Sequence, residues 1–293
     1  MPTCKSNGIE LHYETHGQED DPALLLVMGL GAQMIAWDEE FCDALVDRGF
    51  FVIRYDNRDV GLSSKIEGGG GSFLESFAKA QQGEAITAPY LLTDMAADAM
   101  GLLDHLGIER AHVVGASMGG MIAQTIAIEH PERVRSLTSI MSTTGDPDVG
   151  QPTPEAMARL LVAPPSDRAS AIEASVASTK VIGSPDHYDE DRARRKAAET
   201  YDRAFTPAGT ARQLLAIMAS GSRAEALARL DVPTVVIHGD VDPLVTPTGG
   251  ARTAQLIPGA EHLVIEGMGH DLPPALWPQV VEAITAVARR APA

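Results

Sequence analysis

Short, almost wholly apolar runs alternate with helix-like segments along most of this chain, and that alternation leaves few folds open. Residues 24–28, 51–55, 111–114 and 234–237 are such runs. They predict strands covered on both faces, as in a largely parallel sheet clothed by helices. Residues 9–14 alternate apolar and polar with period two and predict an opening edge strand. Between the runs, residues 37–48 have helical spacing and stop at Gly49. Residues 93–106 place Met95, Ala99, Leu102, Leu103 and Leu106 on one side of a helix that stops at Gly107. Strands are predicted again near residues 134–140 and 262–265. Residues 276–289 close the chain as an amphipathic helix ending on basic Arg289 and Arg290.

Two stretches interrupt the alternation. Residues 63–89 contain the tetraglycine Gly68 to Gly71 and predict a flexible surface loop with one short helix after Phe73. Residues 146–222 carry helical patterns punctuated by prolines and no strand signal. The expected organisation is an α/β core from residues 1–145 and 223–293, with a helical cap at 146–222. At 293 residues the chain is long enough to bury a large core and carry such an insertion.

Charge and cysteine content narrow the function classes. A net charge of −17 disfavours nucleic acid and anionic membrane surfaces as partners. Cys4 and Cys42 lack metal-site or redox spacing, and are expected to be one surface thiol and one core-packing thiol. The first residues show no apolar signal segment, and the longest apolar run, 23–32, is too short to cross a bilayer. A cytoplasmic protein acting on a small molecule is expected.

The chemistry concentrates at Gly115-Ala116-Ser117-Met118-Gly119, which lies between a strand pattern and a helix pattern. A serine flanked by glycines two residues either side suits a sharp strand-to-helix turn that lifts the hydroxyl above the sheet. A serine hydroxyl needs a base to take its proton, and the base needs a carboxylate to hold its tautomer. In a parallel sheet those partners belong in loops after later strands. Two loops qualify: His238-Gly239-Asp240-Val241-Asp242-Pro243, and Glu266-Gly267-Met268-Gly269-His270-Asp271. His270 is the candidate base. Asp242 is the first candidate for the acid, with Asp240 and Asp146 as rivals. His238 and His112 sit in apolar strands and are expected to be core residues, and His262 and His130 surface or helix-end residues. The developing oxyanion needs backbone donors, one of them the N–H of Met118.

The order serine, acid, histidine on these motifs resembles the α/β-hydrolase superfamily. The likeness is greatest to bacterial small carboxylesterases, anthracycline-type methylesterases and cofactor-free haloperoxidases, and it covers the whole chain. It implies Ser117 as nucleophile, Asp242 in the family's G-x-x-D and His270 as base, with no cofactor or metal. It implies Leu30 as the second oxyanion donor, in Met28-Gly29-Leu30-Gly31, where Met28 stands in place of the usual histidine. The segment from Tyr55 to Ser63 resembles the family's D-x-R-x-x-G-x-S turn and is expected to brace neighbouring loops.

The function expected from these residues is carboxylic-ester hydrolysis through an acyl-enzyme. The same residues also suit peroxide attack on the acyl-enzyme, lactone or carbon–carbon hydrolysis, or a ligand sensor with weak turnover. Met34, Trp37, Met118, Met121 and Met268 fall near the expected mouth of the site; core filling accounts for most of them, although methionines also suit an adaptable acyl or alcohol pocket. The cap is expected to govern substrate choice more than chemistry, through large apolar residues such as Leu160, Leu161, Ile172, Phe205 and Leu214.

Overall fold

The structure, a computed structural model, describes residues 2–68, 84–162 and 165–291. Among the described residues there are eight strands: β1 (Thr3–Ser6), β2 (Ile9–His16), β3 (Ala23–Val27), β4 (Phe51–Tyr55), β5 (Ala111–Ala116), β6 (Val134–Ile140), β7 (Thr234–Gly239) and β8 (Glu261–Ile265). The helices among the described residues begin with α1 (Glu39–Val46), α2 (Leu92–His105) and α3 (Met118–Glu129). There follow α4 (Pro154–Leu160), α5 (Arg168–Ile182), α6 (Glu190–Arg203) and α7 (Pro207–Ser220). Then come α8 (Ala224–Leu227), α9 (Thr248–Leu256) and α10 (Trp277–Arg289).

The strands form one sheet in the order β1-β2-β4-β3-β5-β6-β7-β8. Pairing is antiparallel for β1 with β2 and β2 with β4, and parallel from β4 onward. The apolar runs follow from burial on both faces. Leu24, Leu26, Val52 and Val114 pack with Phe41 and Leu45 of α1 and Val280 and Ile284 of α10. Leu25, Val27, Ile53 and Val113 pack on the opposite face with Leu102 and Leu103 of α2 and Ile122 of α3. Each such side chain contributes about 1.5–3 kcal/mol of transfer free energy.

Three expectations are corrected. The edge is β1, which lies outside β2; β1 has no apolar alternation because its inward residues are Cys4 and the polar Ser6. The helix expected from residue 37 starts at Glu39, after a separate 3₁₀ turn at Met34–Ala36. Cys4 is not a surface thiol: both cysteines are buried and free. The tetraglycine from Gly69 onward and the short helix after Phe73 lie outside the described residues.

Helices α4 to α7 are inserted between β6 and β7, where strand signals vanish from the sequence. Local chemistry starts each of them. Thr153 accepts from Ala156 N–H ahead of α4, Asp167 from Ser170 N–H ahead of α5, and Asp189 from Arg192 N–H ahead of α6. Pro207 opens α7, where its missing N–H costs nothing. Ile172, Val176 and Ala197 hold α5 against α6. Buried ion pairs dock the insertion on the turn after β4: Arg212 grips Asp59 at 2.7 and 2.9 Å, and Arg203 meets Asp56 at 2.8 Å.

Candidate active site

Ser117 occupies the turn between β5 and α3 with φ +57° and ψ −120°. A serine is rarely stable there, and the conformation costs about 1–3 kcal/mol. Neighbouring contacts hold it: Ser117 N–H donates to Ile140 O at 2.9 Å, and Gly120 N–H donates to Ser117 O at 2.9 Å. The flanking glycines are required sterically. A Cβ on Gly115 would lie 2.0 Å from Gly119 O, and one on Gly119 would lie 2.0 Å from Val27 O.

The structure brings Ser117, His270 and Asp242 into one hydrogen-bonded chain. The Ser117 hydroxyl donates to His270 Nε2 at 2.9 Å, and His270 Nδ1–H donates to Asp242 Oδ2 at 2.7 Å. The other carboxylate oxygen of Asp242 accepts Leu244 N–H at 2.9 Å and Val245 N–H at 3.0 Å. Burial works against ionising Asp242, but the charge of His270 and hydrogen bonds from His238 and His270 outweigh it. The carboxyl is held at about 2. This geometry allows the imidazole to accept the serine proton on Nε2 while a fixed anion faces Nδ1.

The rival carboxylates bond elsewhere, although Asp146 borders the same cavity. Asp240 accepts Gly267 N–H at 2.7 Å and pins the turn before His270. Asp146 pairs with Arg252 at 3.3 Å and bonds Ser222. His238 is wholly buried, with Nε2 2.7 Å from Val245 O, and His112 bonds Ser136 at 2.8 Å in the core. His262 is exposed, and His130 ends α3.

Leu30 and Met118 border the same cavity as Ser117 and His270. Neither backbone N–H donates to an acceptor among the described residues. The Met118 amide opens α3, where the helix dipole adds partial positive charge. Asn57 donates to Met28 O at 2.9 Å and fixes the loop that carries Leu30. The turn after β4 braces its surroundings as expected: Asp56 accepts Met34 and Leu62 N–H, and Arg58 holds Asp98 at 2.6 and 2.7 Å.

The cavity measures about 750 Å³. Core residues Met28, Met118, Met121 and Met141 line it, opposite Met157, Leu160, Leu214, Ile217 and Met218 of the insertion. Of the residues placed near the mouth from sequence, Met34, Trp37 and Met268 fill the core, the reading given to most of them, and Met118 and Met121 line the cavity. Of the large cap residues singled out from sequence, Leu160 and Leu214 line the cavity. Leu161 and Phe205 point to solvent, and Ile172 packs within the insertion.

Contacts from the insertion to the reactive loops were not foreseen. His270 N–H donates to Ile182 O at 2.7 Å. Ser184 Oγ accepts Gly269 N–H at 2.9 Å and bonds Asp271 at 2.5 Å. Gln213 Oε1 accepts Gly31 N–H at 2.8 Å. The insertion therefore touches the loops that carry His270 and Leu30, and is more than a wall for substrate. Lone serines and glutamines in a helical pattern give no sign of such partners. Among the described residues, no group of three or more His, Cys, Asp or Glu side chains is arranged to hold a metal ion. No helix among them is long and apolar enough to cross a membrane.

The alpha/beta hydrolase fold family matches residues 22–273. The chain belongs to the α/β-hydrolase fold family, in its esterase branch. Rhodomycin D methylesterase DnrP of Streptomyces peucetius is 31% identical, covering 99% of both chains. The meta-cleavage product hydrolase of Pseudomonas fluorescens shares the fold of this α/β-hydrolase with a TM-score of 0.79 and 20% identity, over 99% of this chain and 98% of that one. The enol-lactonase of Burkholderia xenovorans shares it with a TM-score of 0.75 and 24% identity, over 98% and 100%.

Proposed function

We propose that this α/β-hydrolase cleaves a carboxylic ester of a small organic molecule through an acyl-enzyme formed on Ser117. The observation that carries the reading is the Ser117–His270–Asp242 hydrogen-bond chain, at 2.9 and 2.7 Å, on the wall of an apolar cavity. Ser117 Oγ attacks the ester carbonyl carbon while His270 Nε2 takes its proton. The resulting oxyanion receives hydrogen bonds from the Leu30 and Met118 amides. Collapse breaks the bond to the alkoxy oxygen, which leaves as the alcohol with the proton from His270. Water then gives a proton to His270 and its hydroxide equivalent to the acyl carbon, and Ser117 is restored with release of the acid. Every proton is moved by groups of the chain, so the reaction draws on no cofactor or metal.

The ester reading is supported by a relative of nearly full coverage named as a methylesterase, which places methyl esters first among substrates to assay. The methionine-rich wall suits a bulky apolar acyl group, because thioether side chains adapt to irregular shapes. A net charge of −17 supports a small-molecule substrate over nucleic acid. We take residues 146–222 as the cap and the remainder as the core.

The test is a panel of methyl to octyl esters, with lactones and a peroxide-supplemented arm, run on wild type and Ser117→Ala. Hydrolysis that the alanine variant loses by at least about a thousandfold, with a single phosphonate label on Ser117 in wild type, is the expected result. Turnover near wild type in the alanine variant refutes the mechanism. Lactone or peracid activity exceeding ester hydrolysis reassigns the substrate.

A further inference from the structure

We infer that Gln213, on the inserted helix α7, is a positioning residue that sets the direction of the Leu30 amide and so ties the oxyanion site to the seating of the insertion. The inference rests on the esterase reading of Ser117 and Leu30. Leu30 sits between Gly29 and Gly31, a pairing whose backbone freedom would leave its N–H loosely aimed. An oxyanion donor is effective only when its direction is fixed before charge develops.

Hydrogen bonds fix the peptides on either side. Asn57 Nδ2 donates to Met28 O at 2.9 Å, ahead of Leu30. Ala32 N–H donates to Gly29 O at 3.2 Å, which holds the very peptide that carries the Leu30 N–H. Beyond Leu30, the Gly31 N–H donates to Gln213 Oε1 at 2.8 Å. Gln213 itself cannot turn over, because its Nε2 donates to Arg58 O at 2.8 Å; flipping the amide would put donor against donor and acceptor against acceptor. The side chain is wholly buried, so no water stands ready to replace either bond.

Helix α7 is in turn locked. The neighbouring Arg212 holds Asp59 with two hydrogen bonds, at 2.9 and 2.7 Å. Thr210, on the same helix, lies 2.8 Å from where a Cβ on Gly31 would be, so α7 packs directly on the loop. Gly31 has φ +66°, a conformation in which a side chain would be strained as well as crowded. A shift of α7 therefore moves the acceptor that orients the peptide after Leu30.

The experiment compares Gln213→Met, Gln213→Asn and Gln213→Glu with wild type and Ser117→Ala on one ester. Met keeps the volume without the amide, and Asn keeps the amide but withdraws it by a methylene. Whichever of these two folds should lose about ten- to a hundredfold in kcat, with KM changed less than about threefold. Glu in its protonated form, which burial favours, keeps an oxygen for the Gly31 N–H and an O–H for Arg58 O, and should recover most of the loss. Wild-type kcat in Met or Asn, or a Glu variant no better than they are, overturns the positioning role while Ser117→Ala remains inactive. An active Ser117→Ala variant overturns the esterase reading itself, and this proposal with it.

Discussion

Asp242 and Asp240 stand two positions apart, yet their surroundings assign them different work. Asp242 is buried, faces His270 and carries a carboxyl held at about 2, so it is an anion throughout the pH range in which an imidazole base works. Asp240 spends its side chain on Gly267 N–H at 2.7 Å. Asp242→Asn should lower kcat by about a thousand- to ten-thousandfold with the fold intact, because the amide favours the wrong imidazole tautomer. Asp240→Asn should keep kcat within about threefold, an amide oxygen still being able to accept from Gly267. Steady-state kinetics on the two variants check the ranking, and the reverse ranking assigns the acid to Asp240. The positions of Ser117, Asp242 and His270 were legible because short motifs fix them relative to strand ends. Gln213 and Ser184 were not legible: a polar side chain in a helix reads as solvent-facing until a distant backbone N–H is brought to it by the tertiary fold.

The elements of the core follow from periodicity, and those of the insertion only in outline. Runs such as residues 24–28 declare themselves because both faces of β3 are buried, Leu24 and Leu26 on one side and Leu25 and Val27 on the other. Strand β1 was hidden because a buried serine breaks its pattern, although Asn7-Gly8 between β1 and β2 is a recognisable hairpin turn, with φ +46° and +80°. In the insertion, periodicity marks helices without saying which face meets the cavity. Leu160 and Leu214 face it, whereas Leu161 is 43% and Phe205 42% exposed. Leu160→Ala and Leu214→Ala should therefore enlarge the site and shift the ester chain-length ranking toward bulkier substrates, changing relative kcat/KM by about tenfold. Leu161→Ala and Phe205→Ala should leave the ranking unchanged. Profiling all four on one ester series checks this, and an unchanged ranking in the first pair removes the insertion from specificity.

At the scale of the whole molecule, buried histidines make the fold sensitive to acid. Burial, followed by the nearby charges of Arg135 and Arg110, pushes His112 down from an ordinary value of 6.5 to about 4, and burial also lowers His12. Between those values the unfolded chain binds a proton that the folded chain refuses. The stabilisation is complete above 6.5 and is lost as pH falls toward 4. Asp242 adds nothing to that loss, since its own contribution fades only below about 4, on the way to 2. The Tm should thus decline from pH 6.5 to 4, and His112→Gln, which can still bond Ser136, should flatten the decline; equal slopes by calorimetry rule out His112 as a source. The insertion has a consequence on this scale too. Where it leaves and rejoins the core, Arg223 N–H donates to Thr144 O at 2.8 Å, so its two ends meet. A segment whose ends already touch can be exchanged for another of different length with little added entropy of closure, which makes this stretch a natural site for grafting a foreign lid. A transplanted lid would leave the Gly31 and His270 amides without acceptors unless it supplied its own, so a chimaera that folds well and turns over poorly is the outcome a designer should plan against.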